Sequence, residues 1–253
     1  MNPSQTPGYV LSARHHREAD KLAQVYTRQW GKIRVLVKGV RKAQSRLGSS
    51  LELFTESDMT LVKRAGSDLY VLTQAKILKS HPGLKADFTA ITLLQVMADL
   101  LLQSLQDGEA DGELYRLIGG TLEVLEKGKD AREMVLMGFL LRLLESMGHP
   151  LELEVCAECQ GSLKGKNVFL IPHRGGALCQ DCCSTGPRRL QVSPAGLEFL
   201  KKIKSLPLEK VPVLKMAASS RRELLLCLLE YFERTIEKSL KTVEYYLKVL
   251  PGV

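Results

Sequence analysis

Two pairs of cysteines are the residues in this sequence best placed to do chemistry. Cys156 and Cys159 form one C-x2-C pair, and Cys179 and Cys182 form a second pair after nineteen intervening residues. Each pair can close a tight turn that presents two sulfurs to one metal ion, so this spacing is typical of a four-thiolate zinc site. Four sulfurs fill a tetrahedral coordination sphere and leave no open position for water. The pattern therefore favours a structural zinc over a catalytic one.

Neighbouring residues leave the ligand set open. Cys183 directly follows Cys182 and is an alternative fourth ligand, while His173 is a less favoured substitute. Another interpretation is that the cysteines are ordinary thiols, or that the site has lost its metal. The segment between the pairs predicts a hairpin, extended over residues 167–171 and turned at 175–176. We expect one Zn²⁺ per chain, which stabilises a loop-rich insert.

Basic residues are concentrated near the start of the chain. The 253 residues include 36 Lys and Arg against 28 Asp and Glu, a formal net charge of +8. Residues 14–46 hold ten of the basic residues and only Glu18 and Asp20 as acids, so this segment carries the whole excess. Such an excess favours a polyanionic partner over a merely solvated surface. The nominated nucleic-acid contacts are Arg14, Arg17, Arg28, Lys32, Arg34, Lys38, Arg41, Lys42 and Arg46.

The first 80 residues predict a small β-barrel. Extended runs over residues 9–13, 21–28, 32–38, 51–63 and 68–77 are short and separated by turn signals. Five short strands without a convincing helix indicate a five-stranded OB-fold, which commonly binds nucleic acid on one face.

Alternation along one of these strands predicts where the cations point. Lys32, Arg34 and Lys38 are spaced by even numbers of residues, so we expect their side chains on one face of the barrel. Tyr26 and Trp30 lie among them and suggest stacking rings in a single-strand-binding groove. Packing inside the barrel explains Trp30 at least equally well.

A helical period begins near residue 84. Helices are predicted over residues 91–105, 113–127, 131–147 and 194–204, and from 221 in a helix that continues or breaks near 241. We expect Asp130, Ser193 and either Ser219 or Ser220 as N-caps. The sequence thus predicts an α+β multidomain chain. Its parts are an OB-fold β-barrel at 1–80, an all-α domain at 81–150 and 188–253, and an inserted four-cysteine zinc module at 151–187.

Several function classes are disfavoured. The sequence lacks phosphate-binding glycine loops and a nucleophile elbow. His16 and Glu18 formally match the H-x-E of zinc deaminases, but Val155 stands where the proline before Cys156 is required. The first residues are polar and the apolar runs are short, which predicts no signal peptide and no membrane span. Six cysteines without an export signal fit metal ligation in the cytosol.

Three groups of residues occur in a characteristic order along the chain. The first group is Trp30-Gly-Lys32, Val37-Lys-Gly-Val-Arg41, Ser45 and Leu51-Glu-Leu-Phe54. The second is Gly148-His-Pro-Leu151, followed by the cysteine pairs with Gly175-Gly-Ala-Leu-Cys179. The third is Leu229-Glu-Tyr231 and Leu240-Lys-Thr242, in which Thr242 stands where a serine is usual. Together these groups resemble the RecO family of bacterial recombination mediators.

The resemblance implies more than the residues alone indicate. It implies a non-enzymatic DNA repair protein, associated with the nucleoid, that binds single- and double-stranded DNA and anneals complementary strands. It also implies that the protein works with RecR and with single-strand-binding protein. In that role it would help RecA load onto DNA coated by single-strand-binding protein. The helical domain is then expected to dock the acidic C-terminal tail of single-strand-binding protein. Candidate cations for the tail carboxylate are Arg132, Arg142, Arg221 and Arg222.

Two alternatives remain at this point. An RNA-binding or translation-associated zinc protein would show the same barrel, cations and cysteine pairs. A zinc-dependent hydrolase or deaminase is the less favoured class, because four thiolates leave no open metal position.

Overall fold

The chain forms two compact units, Met1–Arg116 and Leu117–Val253. The computed structural model describes residues 3–40, 47–183 and 190–249. The first unit extends past the barrel into the following helices. The division into parts at residues 80, 150 and 187 stays a prediction, because compactness does not test whether a part folds alone.

Five strands close into a barrel in the first unit. They are β1 (Ser4–His16), β2 (Asp20–Thr27), β3 (Gly31–Val37), β4 (Glu56–Lys63) and β5 (Leu69–Lys79). Their order around the barrel is β1-β2-β3-β5-β4. Neighbours are antiparallel except β3 and β5, which run parallel. The OB-like barrel expected from the sequence is confirmed.

Side-chain alternation on β3 follows the prediction. Ile33, Val35 and Val37 are buried in the barrel core, so the residues between them point outward. The segment before β4 differs from the expected strand over 51–63. Residues Ser49–Leu51 form a 3-10 helix, and Phe54 takes a left-handed conformation with φ 53°. Leu51 and Phe54 are both buried, so this segment turns to insert apolar side chains and does not pair as a strand.

A short helix, α1 (Pro82–Lys85), leads to α2 (Phe88–Ser104). Asp87 caps α2, because its carboxylate accepts a hydrogen bond from the Ala90 N–H at 3.0 Å. Residues 105–111, here called the acidic loop, then return to the barrel. Gly108 donates its N–H to the Lys32 carbonyl at 2.9 Å. The Tyr26 hydroxyl bonds both the N–H and the carbonyl of Asp111, at 3.1 and 3.2 Å.

The helices after the acidic loop agree with the predicted period. They are α3 (Gly112–Lys127), α4 (Arg132–Ser146), α5 (Pro194–Ser205), α6 (Ala218–Ile236) and α7 (Lys241–Val249). Apolar side chains of α4 are buried nearly all round, and α4 packs against α5 and α6 at the centre of the second unit. In the described ranges, no helix combines the length and apolar character needed to cross a bilayer.

The starts of these helices test the predicted caps. Ser193 caps α5 and accepts the Gly196 N–H at 3.1 Å. Asp130 does not cap α4, because a 3-10 turn over Lys129–Ala131 precedes it and Ala131 occupies the cap position. The cap of α6 is Ala217, so the expectation of Ser219 or Ser220 was wrong. A polar residue near the start of a helix therefore does not by itself identify the N-cap. At α4 the preceding segment already forms a 3-10 turn, which moves the cap position to Ala131.

The segment with the cysteines carries a small sheet. Strands β6 (Val168–Ile171), β7 (Gly176–Leu178) and β8 (Leu190–Val192) pair antiparallel in the order β7-β6-β8. The β6–β7 pair is the hairpin expected from the sequence. A Cβ on Gly176 would lie 2.6 Å from the Glu152 carbonyl oxygen, so only glycine allows this chain approach. Ala177 donates its N–H to that same oxygen at 2.9 Å.

Candidate metal centre and nucleic-acid interface

Four cysteine sulfurs converge in the second unit. The Sγ atoms of Cys156, Cys159, Cys179 and Cys182 all lie within 4.8 Å of one another. The Sγ atoms of Cys159 and Cys179 are 3.9 Å apart. A tetrahedral zinc with Zn–S bonds of about 2.3 Å requires sulfurs about 3.8 Å apart. The cluster therefore has the donor set and nearly the spacing of one structural zinc site.

Backbone turns position the two pairs. Cys156 donates its N–H to the Gly161 carbonyl, and Gln160 donates to the Cys156 carbonyl, both at 2.9 Å. Gln160 closes this turn with φ 58°. Strand β7 leads directly into Cys179, whose carbonyl accepts the Cys183 N–H at 3.1 Å. Each C-x2-C pair thus sits on its own tight turn.

The two alternative ligands lie outside the cluster. Cys183 is buried, and His173 is exposed on the 3-10 turn Pro172–Arg174. Among the described residues, the group of metal-ligating side chains at this place consists of the four cysteines alone. The structure therefore brings together the ligand set that contains Cys182, and not the sets in which Cys183 or His173 replaces it.

Backbone N–H donors around the cluster favour the negatively charged thiolate form. Burial raises the pKa of the Cys156 thiol, but N–H groups of Cys159, Cys179 and Glu158 outweigh it and lower that pKa to about 6. Hydrogen bonds with Cys159 and Cys179 raise the pKa of Cys182. A thiolate is therefore favoured at Cys156, and a metal ion that binds here must displace the protons that remain.

The Lys32 side chain is largely buried, contrary to the expectation that it shares an exposed face with Arg34 and Lys38. Its side chain is only 9% exposed and its ammonium lies 3.3 Å from an Asp107 carboxylate oxygen. The ammonium also donates to the carbonyl oxygens of Leu102, at 3.0 Å, and Leu105. Alternation placed Lys32 correctly on the outer face, but the end of α2 and the acidic loop cover it.

A cationic groove lies on the outer surface of the barrel, at the seam of β3 and β5. Its cavity has a volume of about 520 Å³. The lining residues are His16, Arg17, Asp20, Leu36, Lys38, Val62, Lys63, Arg64, Ala65, Leu69 and Val71. Four cations line the groove over an apolar floor. Asp20 is occupied by a hydrogen bond from the Gly39 N–H at 2.9 Å. The surplus of positive charge can hold phosphates.

The nine cations predicted to contact nucleic acid fall into different places in the structure. Arg17 and Lys38 line the groove, Arg34 is exposed beside it, and Arg14 and Arg28 are exposed elsewhere on the barrel. Three of the predicted contacts lie outside the described residues, namely Arg41, Lys42 and Arg46.

Sequence reasoning missed Lys63, the last residue of β4, and Arg64, which follows it; both line the groove. Two adjacent cations before the turn at 65–68 were a usable signal. The strand order was needed to bring that turn beside β3, because β3 and β5 pair although β4 lies between them in sequence.

The aromatic residues do not form a stacking platform. Tyr26 is buried, and its ring lies 6.5 Å from the Tyr115 ring. Trp30 packs against the barrel core and stacks on Tyr70, with ring centroids 5.5 Å apart. The packing interpretation of Trp30 agrees with this arrangement, so positive charge rather than ring stacking is the main feature of the groove.

The arginines suggested for a tail carboxylate are largely engaged. Arg132 is buried with its Nε–H directed to the Leu125 carbonyl at 3.4 Å. Arg142 donates to the carbonyls of Gly138 and Leu206 at 2.8 and 2.5 Å, and burial lowers its pKa. Arg221 lies 3.6 Å from a Glu133 oxygen. Arg222 lies over the Tyr246 ring at 5.6 Å.

A separate pocket of about 370 Å³ lies between the starts of α5 and α6. Phe199, Met216 and Leu224 contribute apolar walls, and exposed Lys215 stands in its lining. Glu223 also lines the pocket, so its charged side chains are one cation and one anion. A cleft with apolar walls and a cation suits a peptide that carries both a hydrophobic side chain and a carboxylate.

Comparisons with known proteins cover nearly the whole chain. The family model described as "Recombination protein O N terminal" matches residues 1–81, and "Recombination protein O C terminal" matches residues 85–244. A "DNA repair protein RecO" of Desulforamulus reducens is 31% identical over 236 residues, which are 93% of this chain and 91% of that protein. A protein of the same name from Rubrobacter xylanophilus is 34% identical over 202 residues, or 79% of this chain and 80% of the relative.

Proposed function

The chain belongs to the RecO family of DNA repair proteins, and from this premise we propose that it binds single- and double-stranded DNA through the cationic groove. The observation that carries the proposal is the convergence of Arg17, Lys38, Lys63 and Arg64 on one surface. They come from the ends of β1, β3 and β4, which only the closed barrel brings together.

Phosphate binding in this groove needs no base recognition. Each contact between a cation and a phosphate releases condensed counterions, which favours binding at low salt. Phosphates carry no sequence information, so the groove would accept strands of any sequence. Cations on such a surface would also screen the repulsion between the phosphates of two complementary DNA strands and so aid their annealing. We propose this annealing as the activity of the chain in DNA repair.

The cysteine cluster would hold one structural zinc in this proposal. Cys156, Cys159, Cys179 and Cys182 would be its ligands, and the metal would supply cross-linking of two turns without reaction chemistry. The cysteines are on segments that the β6–β7 hairpin joins, so the site would fix the insert against the second unit's own helices.

DNA binding is tested with the triple variant Lys38→Ala, Lys63→Ala and Arg64→Ala. Binding of fluorescent single-stranded and duplex DNA is measured by anisotropy at four salt concentrations. The slope of log affinity against log salt should flatten by about 2 on single strands and about 3 on duplex, since each contact contributes about 0.7 or 0.9. Affinity should fall similarly for unrelated sequences.

A matched control removes three exposed lysines of the second unit, with the variant Lys127→Ala, Lys202→Ala and Lys210→Ala. It changes net charge equally and should keep the parent's slope. A groove variant with the parent's slope would overturn the proposal. Tighter binding to a matched RNA than to DNA would instead favour the RNA-binding alternative.

We further propose the protein partners expected of the family: RecR, single-strand-binding protein and, indirectly, RecA. The acidic C-terminal tail of single-strand-binding protein would occupy the pocket between α5 and α6, with Lys215 next to its terminal carboxylate. Calorimetry with a tail peptide should show binding that weakens several-fold in Lys215→Ala and not in Lys210→Ala. Equal binding to both variants would exclude this pocket.

A further inference from the structure

The outward-facing side chains of β3 meet the Asp107 carboxylate at the start of the strand. Along this row lie Lys32, Arg34, Leu36 and Lys38, of which the last two line the cationic groove. Arg34 borders the groove, because it is the Cα partner of Leu69 on β5, and Leu69 also lines it. By charge and position, Arg34 would be the next phosphate contact after Lys38.

Asp107 is placed to prevent that contact. Its carboxylate lies 3.9 Å from the Arg34 Nε, and both side chains are 52% exposed. The other carboxylate oxygen lies 3.3 Å from the buried Lys32 ammonium. One acidic side chain therefore holds two neighbouring cations of the row.

The backbone fixes this carboxylate against β3. Gly31, at the start of β3, has φ 58°, and a Cβ on it would lie 1.7 Å from the Glu109 carbonyl oxygen. Lys32 and Asp107 also form an isolated bridge. The acidic loop is therefore seated on the strand, and Asp107 cannot move far from Arg34 without loss of these contacts.

We propose that Asp107 is a determinant of where DNA lies on the barrel: it occupies Arg34 as a phosphate would, and so ends the cationic track at Lys38. This inference rests on the proposed function of the groove and adds its boundary. A DNA strand that continued along β3 past Lys38 would bring a phosphate next to the Asp107 carboxylate, and like charges at contact distance repel. The exposed pair with Arg34 is weak in stability terms, so its effect is on DNA placement.

The test is a double-mutant cycle of Asp107→Asn and Arg34→Ala, read as the salt slope on DNA. Asparagine retains the size of the side chain and a carbonyl oxygen for Lys32. Asp107→Asn should steepen the slope by about 0.7 on single strands and about 0.9 on duplex, with about five-fold tighter single-strand binding at about 0.1 M salt. Arg34→Ala alone should leave the slope unchanged, and in the Asp107→Asn background it should abolish the gain.

Glu109→Gln is the matched control. Glu109 is in the same loop and exposed, and it has no ion pair among the described residues. An equal gain in Glu109→Gln, a gain that survives Arg34→Ala, or no gain in Asp107→Asn would each overturn the inference. Failure of the groove itself is recognised separately, because the Lys38, Lys63 and Arg64 triple variant then keeps the parent's slope.

Discussion

Lys32 offers the sharpest separation of structural from DNA-binding cations. Its ammonium lies at the C-terminal end of α2, where it donates to the carbonyls of Leu102 and Leu105 and lies close to Asp107. A cation at this end of a helix also complements the helix dipole. Lys32→Met retains the aliphatic stem and removes only the charge and its hydrogen bonds. We therefore expect a loss of stability with no change in phosphate contacts.

The size of the loss follows from these contacts. A hydrogen bond from a charged donor contributes about 1.5–3 kcal/mol, and a half-exposed ion pair less than about 1 kcal/mol. Removal of the ammonium also relieves its own desolvation cost, which offsets part of the loss. The net expectation is a free energy of unfolding lower by about 2–4 kcal/mol. With a urea dependence of about 2 kcal/mol per molar, the midpoint falls by about 1–2 M.

Trp30 provides the assay. It is the single tryptophan of the chain and packs against the barrel core, so its fluorescence reports unfolding of the first unit. Lys38→Met is the reciprocal control, since Lys38 is exposed on the same row. It should keep the urea midpoint and flatten the salt slope on duplex by about 0.9. If Lys32→Met instead unfolds like the parent and flattens the slope, Lys32 contacts DNA and its burial has been misinterpreted.

Further predictions concern the cysteines and a glycine. Cys156→Ser should lower bound zinc, measured by mass spectrometry of the purified protein, together with the thermal midpoint, because metal binding and folding of the insert are coupled. Cys183→Ser should retain a full equivalent of zinc, and severe metal loss there would assign the fourth ligand to the wrong cysteine. Gly31→Ala should destabilise the first unit by more than about 2 kcal/mol in urea, since it adds left-handed strain to a clash with the Glu109 carbonyl; a neutral effect would mean that the acidic loop leaves β3 readily.

Local patterns predicted what local chemistry determines. The spacing of Cys156, Cys159, Cys179 and Cys182 was sufficient to predict their cluster, because two short turns and one hairpin decide it. Ser193 before Pro194 likewise predicted the start of α5. Alternation on β3 predicted which side chains point outward.

Long-range packing decided what the sequence could not predict. Whether Lys32 faces solvent depends on the end of α2 and the acidic loop, about 70 residues later, and no local pattern contains that contact. The contribution of Lys63 and Arg64 to the groove depends on the parallel pairing of β3 and β5. Tyr26, nominated for base stacking, is buried because residues 111 and 115 pack over it.

The return of the acidic loop to the barrel has a consequence for choosing fragments. Tyr115 lies 4.8 Å from the Tyr9 ring and donates its hydroxyl to a Glu56 carboxylate oxygen at 2.8 Å. A fragment that stops at residue 81, where the N-terminal family match ends, would therefore expose Tyr9 and Tyr26 and strip Lys32 of its carbonyl partners. A fragment that continues to Arg116 retains all of these contacts, so this longer piece is the one to isolate for spectroscopy of the barrel.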